Sequence, residues 1–440
     1  MRRTFTAALT STWLVTAMLP FVPPTHAATA AYTVLDLGTL RGDSASVAMG
    51  INNHGDVVGW STGPTGTRAF VYREATGMVA LPAVAGRPVT MARAINDEGV
   101  VVGTASTGGT DVGHAVRWQA GAAQDLGTLG GGTFSEARDV NASGTTVGSS
   151  STIGGQLSGT HAFRYSDAAG MVDLTAGFDD GRAEGINDTG QIVGWRNGRA
   201  YRLSGSTFTD LGVPTGFAQS FAVAINATGQ VAGHVISPTG NSERIFRYSN
   251  GVMTLVGGMG EFNRAWAINS SGDVVGQGLP VLGLRQGFLY TDTNGMQGLN
   301  QLIDPAGGWY ILGASGINDA GQIVGWASGP NGQRAVRLTP TTTVVGTAPA
   351  APEGLTAAAL SGARIRLAWG DRATNETGFR VQRARGADGT FTTIAEVAAN
   401  ATTFTDATAK AGRLYRYRVR AFNDVGGSAW SNVVKIRAKS

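Results

Sequence analysis

The chain has 440 residues, of which 66 are glycine and none is cysteine, with 42% hydrophobic and 15% charged side chains. Glycine is about twice its usual share, yet the apolar fraction suffices for a core, so disorder and collagen are disfavoured and many short strands joined by tight turns are expected. The missing cysteine excludes disulfides, thiol nucleophiles, Cys-ligated zinc and lipidated cysteine.

The net charge of +4 hides a split. Residues 28–350 carry 18 Arg and no Lys against 23 acids, a balance of −5, whereas residues 351–440 carry 11 Arg and three Lys against seven acids, a balance of +7. The basic excess belongs to a small terminal segment, so nucleic acid is not the expected partner, and attraction to an acidic surface polymer fits better.

Met1-Arg2-Arg3, the apolar run from Ala7 to Val22 and the small-x-small close at Thr25-His26-Ala27 read as a secretory signal over residues 1–27. Arg2-Arg3 followed by Thr4-Phe5 leaves the general and twin-arginine routes both open. The expectation is a secreted protein, periplasmic or extracellular, without membrane insertion.

From residue 28 one phrase recurs seven times: an apolar residue, Asn, two variable residues, Gly, then a Val-rich stretch closing in Gly. Its asparagines are Asn52, Asn96, Asn141, Asn187, Asn226, Asn269 and Asn318, spaced 44, 45, 46, 39, 43 and 49 residues apart. Each phrase predicts a hairpin through a type I turn with Asn first and a left-handed Gly fourth. A third strand follows, as in Ala69-Phe70-Val71-Tyr72 and Ala162-Phe163-Arg164-Tyr165, then a fourth such as Met171-Val172-Asp173-Leu174. Four strands in about 44 residues is the size of a propeller blade. The seventh unit lacks its fourth strand, and the chain opens on a fourth strand without the first three, Tyr32-Thr33-Val34-Leu35-Asp36-Leu37-Gly38. Strand 32–37 is therefore expected to close a seven-bladed propeller over residues 28–338 and to remove an exposed sheet edge.

Thr160-His161-Ala162-Phe163, Asp125-Leu126-Gly127-Thr128-Leu129-Gly130-Gly131 and the stretch Gly185 to Gly194 resemble the HAF repeats of bacterial extracellular proteins. The strand order also resembles a kelch blade, although the kelch double glycine after the second strand is missing. The resemblance covers residues 32–340 and implies export and a repeated β architecture, with no assigned activity. Residues 339–351, rich in Thr, Ala and Pro, read as an extended linker. Beyond them Leu367-Ala368-Trp369, Gly378-Phe379-Arg380-Val381 and Tyr415-Arg416-Tyr417-Arg418-Val419-Arg420 are similar to the fibronectin type III family over residues 352–438. That resemblance implies a seven-strand sandwich with Trp369 in the core and Tyr415 at the tyrosine corner.

Candidate functional residues are those that break the repeat. Three residues before each repeat apolar residue stands an alanine, read as packing between blades. Two and four residues before it, the strand turns its other face and bears Arg93, Arg138, Glu184 and Trp266, and Glu136, Arg182 and Arg264. On an innermost strand these would ring a channel, either as ion pairs between blades or as a polar ligand site. After the closing Gly of the second strand come Trp60, Thr104, Ser149, Trp195, His234, Gln277 and Trp326. Trp60, Trp195 and Trp326 would form a sugar-stacking platform or cap the blades.

His114 and His161 share a position with Arg68, Arg199 and Arg334 and read as scaffold, and Asp97, Asp188 and Asp319 as turn residues. Arg41-Gly42-Asp43 reads as a chance tripeptide. No metal site, cofactor or nucleophile motif is present, and a monomer is expected. The leading expectation is an all-β, non-enzymatic binding or adhesion module that recognises a glycan or cell-surface polymer. The alternatives are a glycan hydrolase or lyase using Glu136 and Glu184 and a structural envelope protein.

Overall fold

The computed structural model describes residues 30–108, 113–152, 159–177, 180–280, 283–341, 349–373, 376–423 and 426–440. The expected signal at 1–27 and much of the expected linker lie outside them. The described residues are all-β, without an α-helix, and none of their helical segments is long and apolar enough to cross a membrane.

Among the described residues, seven four-stranded antiparallel sheets follow one another along the chain. Their first strands are Ala45–Ile51, Val89–Ile95, Ser135–Val140, Gly181–Ile186, Gln219–Ile225, Gly260–Ile268 and Tyr310–Ile317, which define sheets 1 to 7. Sheets 1 to 6 take their strands in chain order. Sheet 7 instead receives Tyr32–Asp36 beside Gly332–Pro340, with Tyr32 opposite Pro340 and Asp36 opposite Val336. The third strand of sheet 7 thus runs on through Thr339-Pro340, where the sequence suggests an interruption; proline is tolerated because it stands at the strand's last residue.

The repeated glycines do two different jobs. Gly55, Gly99, Gly144, Gly190, Gly229, Gly272 and Gly321 close the turns at φ between 73° and 83°, where a side chain is strained. The glycine ending each phrase has ordinary backbone but no room: a Cβ on Gly194 would lie 1.9 Å from the Arg182 carbonyl oxygen, and one on Gly59 2.0 Å from that of Val47. Opposite this glycine every first strand carries a register shift, at Ala48/Gly50 in sheet 1 and at the equivalent step in all seven. The extra residue of this β-bulge is the one two before the repeat apolar residue.

The asparagines join the sheets. In each turn Asn Oδ1 accepts backbone N–H bonds, for example from Thr228 and Gln230 onto Asn226. Each Asn Nδ2 then donates to the carbonyl of the next Asn at 2.9–3.4 Å, from Asn52 to Asn96 and onward. The seventh bond, Asn318 to Asn52 at 3.1 Å, closes the circuit. All seven side chains are buried, so each amide completes a bond that would be costly to leave unmade. Ala48, Ala92 and their five counterparts are fully buried. Cation–π contacts run the same way round: Arg117 lies over Tyr165, Arg202 over Tyr248, Arg247 over Tyr290 and Arg337 of sheet 7 over Tyr72 of sheet 1. One core cluster joins Ala48, Val57 and Phe70 of sheet 1 to Val324 and Ala335 of sheet 7.

The carboxy-terminal part is a separate pair of sheets around one core of Leu355, Ile365, Leu367, Trp369, Phe379, Val381, Tyr417 and Val419. One sheet holds Glu353–Ala359, Ile365–Gly370 and Thr403–Asp406; the other holds Thr392–Ala398, Gly378–Arg385, Leu414–Asn423 and Gly426–Gly427, with Val434–Arg437 also on Leu414–Asn423. The Tyr415 hydroxyl accepts the Lys410 N–H at 3.0 Å, the bond expected of a tyrosine corner.

Candidate functional site

The bulge residues decide where the chemistry gathers. Met49, Arg93, Arg138, Glu184, Val223, Trp266 and Ser315, one from each sheet, all line a cavity of about 460 Å³ together with Trp195, Phe221, His234 and Arg264. The same seven bulge residues line a narrower space of about 190 Å³ that runs on between the repeat isoleucines Ile51, Ile95, Ile225, Ile268 and Ile317. A third space, about 420 Å³, is lined by the asparagine turns, Asp97, Asp188 and Asp319.

The main cavity has two unlike walls. On sheets 2 to 4 the side chains are charged. Glu136 accepts from Arg138 Nη2 at 2.6 Å, Arg182 Nη1 at 3.3 Å and Ser149 Oγ at 3.2 Å, and Arg93 Nη2 stands 3.9 Å away. Glu184 lies 3.6 Å from Arg138 Nε. Burial would raise the Glu136 pKa, but Arg138, Arg93 and Arg182 outweigh it and hold the carboxyl below its ordinary value. Burial, and then the like charge of Arg138, push the Arg93 pKa down. Arg93 Nε and Arg182 Nε are buried without a hydrogen-bond partner among the described residues.

On sheets 4 to 7 the wall is aromatic. Trp195 meets Phe221 edge-on at 5.1 Å, and Phe221 stacks on His234 at 5.3 Å. Trp266 stacks on Trp326 at 5.1 Å and 28°. Trp326 fits because its partner Gly313 has no side chain; a Cβ there would lie 2.6 Å from the indole. Arg182 reaches over Trp195 at 5.4 Å and so joins the two walls. Burial and, secondarily, Arg264 lower the His234 pKa to about 3, and its Nδ1 is buried without a partner among the described residues.

Of the residues singled out in the sequence, Arg93, Arg138, Glu184, Trp195, His234, Arg264 and Trp266 line the cavity, while Glu136, Arg182 and Trp326 stand behind it in contact with lining residues. Of the three tryptophans of the expected platform, Trp195 alone lines this cavity. Gln277 donates to the Leu312 carbonyl at 2.8 Å, a bond between sheets 6 and 7. Arg264 is tied to the buried Glu243 at 3.1 and 3.2 Å.

Glu243 and Asp139 escape the sequence reading. Asp139 stands where the other sheets have only Gly or Ala; its Oδ2 accepts the Ile186 N–H at 2.9 Å, and burial raises its pKa to about 6. Both acids break the repeat, which is the signal that could have found them. His114 and His161 pair with Asp125 and Asp173 as Arg199 pairs with Asp210. Asp43 of the Arg-Gly-Asp tripeptide is 1% exposed and paired with Arg68. Among the described residues no three His, Asp or Glu side chains gather as a metal site.

Residues 350–437 match the fibronectin type III domain family. Among solved structures, an Fn3-like protein from Clostridium thermocellum is 29% identical over 21% of this chain and 97% of its own, with a TM-score of 0.19. The FN5 domain of Drosophila Lar is 16% identical over 21% of this chain and 98% of its own, also at TM-score 0.19. The fn3 domain of human collagen alpha-1(XX) is 16% identical over 21% and 88%, again at 0.19. No curated protein matches the chain. With its two-sheet core and the Tyr415 corner, the segment 350–437 is a fibronectin type III domain.

Proposed function

We propose that the chain is a secreted, non-enzymatic binding protein whose seven sheets are the blades of a β-propeller over residues 28–338, joined through residues 339–351 to the fibronectin type III domain. The closed asparagine circuit and the pairing of Tyr32–Asp36 with Gly332–Pro340 support the propeller reading. The ligand proposed is an acidic glycan or surface polymer held in the cavity that all seven sheets line.

The observation that carries this reading is the opposition of an arginine wall and an aromatic wall across about 460 Å³, a volume within the range of ligand sites. Indole faces stack on the apolar faces of sugar rings, and guanidinium groups bind carboxylates through paired N–H bonds. The buried donor at Arg93 and the unpartnered Nδ1 of His234 belong to lining residues and are groups that a ligand would satisfy. A general acid needs a raised pKa, whereas the arginines push that of Glu136 down; this favours the binding module over the hydrolase.

A glycan array with wild type, Trp195→Ala and Arg93→Ala tests the reading. Binding of acidic glycans that both substitutions abolish is expected, and binding unaffected by either would overturn it. A turnover assay on the bound glycans, with Glu136→Ala and Glu184→Ala as controls, is expected to release no product. Product that disappears in the Glu variants would establish the hydrolase or lyase instead.

A further inference from the structure

The fibronectin type III domain carries a feature that the cavity does not explain. Strand Leu414–Asn423 alternates Tyr415, Tyr417, Val419 and Ala421, all buried, with Arg416, Arg418 and Arg420. Alternation puts the three arginines on the outer face, successive ones about 7 Å apart. There they interleave with two aromatic rings: Arg416 lies over Phe391 at 5.1 Å, Arg418 between Phe391 at 4.3 Å and Trp430 at 4.1 Å, and Arg420 over Trp430 at 4.6 Å. Gly427 makes room for the last, since a Cβ there would lie 2.8 Å from the Arg420 guanidinium carbon. Across the sheet Arg380 faces Arg420 and Lys435 faces Arg416, adding two positive charges; Glu396 answers one of them, through Arg380.

Three like charges in a row repel one another unless a counter-charge is near. Burial, and then the charge of Arg420, lower the Arg418 pKa. Internal partners take only part of the donor capacity: Arg418 uses Nε and Nη2 on Gln382, and Arg416 uses Nη2 on the Gly389 carbonyl. The Nε atoms of Arg416 and Arg420 are buried; the stacked geometry fixes each guanidinium plane, so the remaining Nη groups form an ordered row rather than three mobile charges.

We infer that this arginine–aromatic row is a second binding site, independent of the propeller cavity, that docks a linear carboxylated or sulfated polysaccharide along strand Leu414–Asn423. Guanidinium forks suit such oxyanions. Single-stranded nucleic acid fits less well, because its bases need free aromatic faces to stack on and those of Phe391 and Trp430 are covered by arginines. The net charge of +7 over residues 351–440 works in the same direction by raising the encounter rate with a polyanion. The domain on this reading is a surface anchor, and the cavity reads the finer chemistry.

The test uses the full chain and measures binding to polygalacturonate, to a neutral glucan and to duplex DNA at low and moderate salt. Polygalacturonate is expected to bind, more weakly as salt rises, and the glucan not at all. The combined variant Arg416→Gln, Arg418→Gln, Arg420→Gln is expected to lose about tenfold or more in affinity. A charge-matched variant on exposed arginines elsewhere in the domain, Arg364→Gln, Arg366→Gln, Arg413→Gln, is expected to lose about threefold or less. Replacing Arg416, Arg418 and Arg420 by Lys, which keeps the charge without the planar fork, is expected to fall between them. To separate the row from the cavity, polygalacturonate binding is also measured in the Trp195→Ala, Arg93→Ala background, where the glutamine substitutions at Arg416, Arg418 and Arg420 are expected to cost the same factor as in the wild-type background. Equal losses in the two glutamine variants, with both domains still melting as in wild type, would overturn the site. Tighter binding of duplex DNA than of polygalacturonate would overturn the polysaccharide assignment.

Discussion

Asn226→Ala removes one link of the asparagine circuit and is the most direct probe of what joins the sheets. The Asn226 side chain is 5% exposed. Its Oδ1 accepts the N–H groups of Thr228 and Gln230 and the Thr228 hydroxyl, and its Nδ2 donates to the Asn269 carbonyl at 2.9 Å and to Gln230 Oε1 at 2.8 Å. Alanine keeps the Asn226 carbonyl, so the bond from Asn187 survives. Two losses dominate: the cap on the turn and the donor to a buried carbonyl, together about 3–4 kcal/mol at 1–3 kcal/mol for each buried group left without a partner. For a unit this large each kcal/mol moves the melting temperature by about 2 °C, so a fall of about 6–8 °C is expected. Scanning calorimetry reads it, with the transition of the fibronectin type III domain as an internal reference that stays in place. Glu98→Ala, at an exposed position of the equivalent turn in sheet 2, should move the midpoint by less than about 2 °C. If both variants melt alike, the circuit does not hold the sheets together.

Removal of residues 28–38 takes Tyr32–Asp36 from sheet 7 and bares the edge of Gly332–Pro340; a lower melting transition with aggregation by light scattering is expected, and an unchanged midpoint would refute closure by this strand. Gly194→Ala places a Cβ against the Arg182 carbonyl and should destabilise by about 3 kcal/mol or more in urea unfolding; a loss below 1 kcal/mol would contradict the close approach. Two partly buried groups should oppose each other with pH. Asp139 is raised from 3.8 to about 6 in the fold, so its contribution is present at low pH and lost as pH rises toward 6 and beyond, whereas His234 is lowered from 6.5 to about 3, so its contribution is present above pH 6.5 and lost as pH falls toward 3. Melting temperatures at pH 4 and pH 7 should therefore show Asp139→Asn gaining relative to wild type at the higher pH and His234→Gln gaining at the lower; parallel curves for all three proteins would refute both shifts.

Much of the architecture is legible in the sequence because the repeat writes it seven times. An Asn followed three residues later by Gly specifies a turn from local chemistry alone, and glycine at φ near 80° needs no tertiary partner to explain it. The same holds for Tyr415 and Trp369, whose positions in alternating strands mark the sandwich core. Alternation also singles out the residues two and four before the repeat apolar residue, although the bulge at the first of them breaks the strict period.

Only the folded chain shows the rest. The closing glycines of the phrase read as punctuation until Gly194 is seen against the Arg182 carbonyl, a contact set by the bulge opposite. Each asparagine bonds to the next across 39 to 49 residues and back from 318 to 52, a circuit that no local pattern encodes. Trp60, Trp195 and Trp326 hold the same ladder position, each opposite the residue four before the repeat isoleucine, but their neighbours differ: Phe221 and Arg182 hold Trp195 at the cavity, and Trp266 with the bare backbone of Gly313 draws Trp326 into a stack. Periodicity determined the strands, the turns and their sevenfold count; the partnering of side chains from different repeats, which depends on distances through space, decided which of them meet in one site.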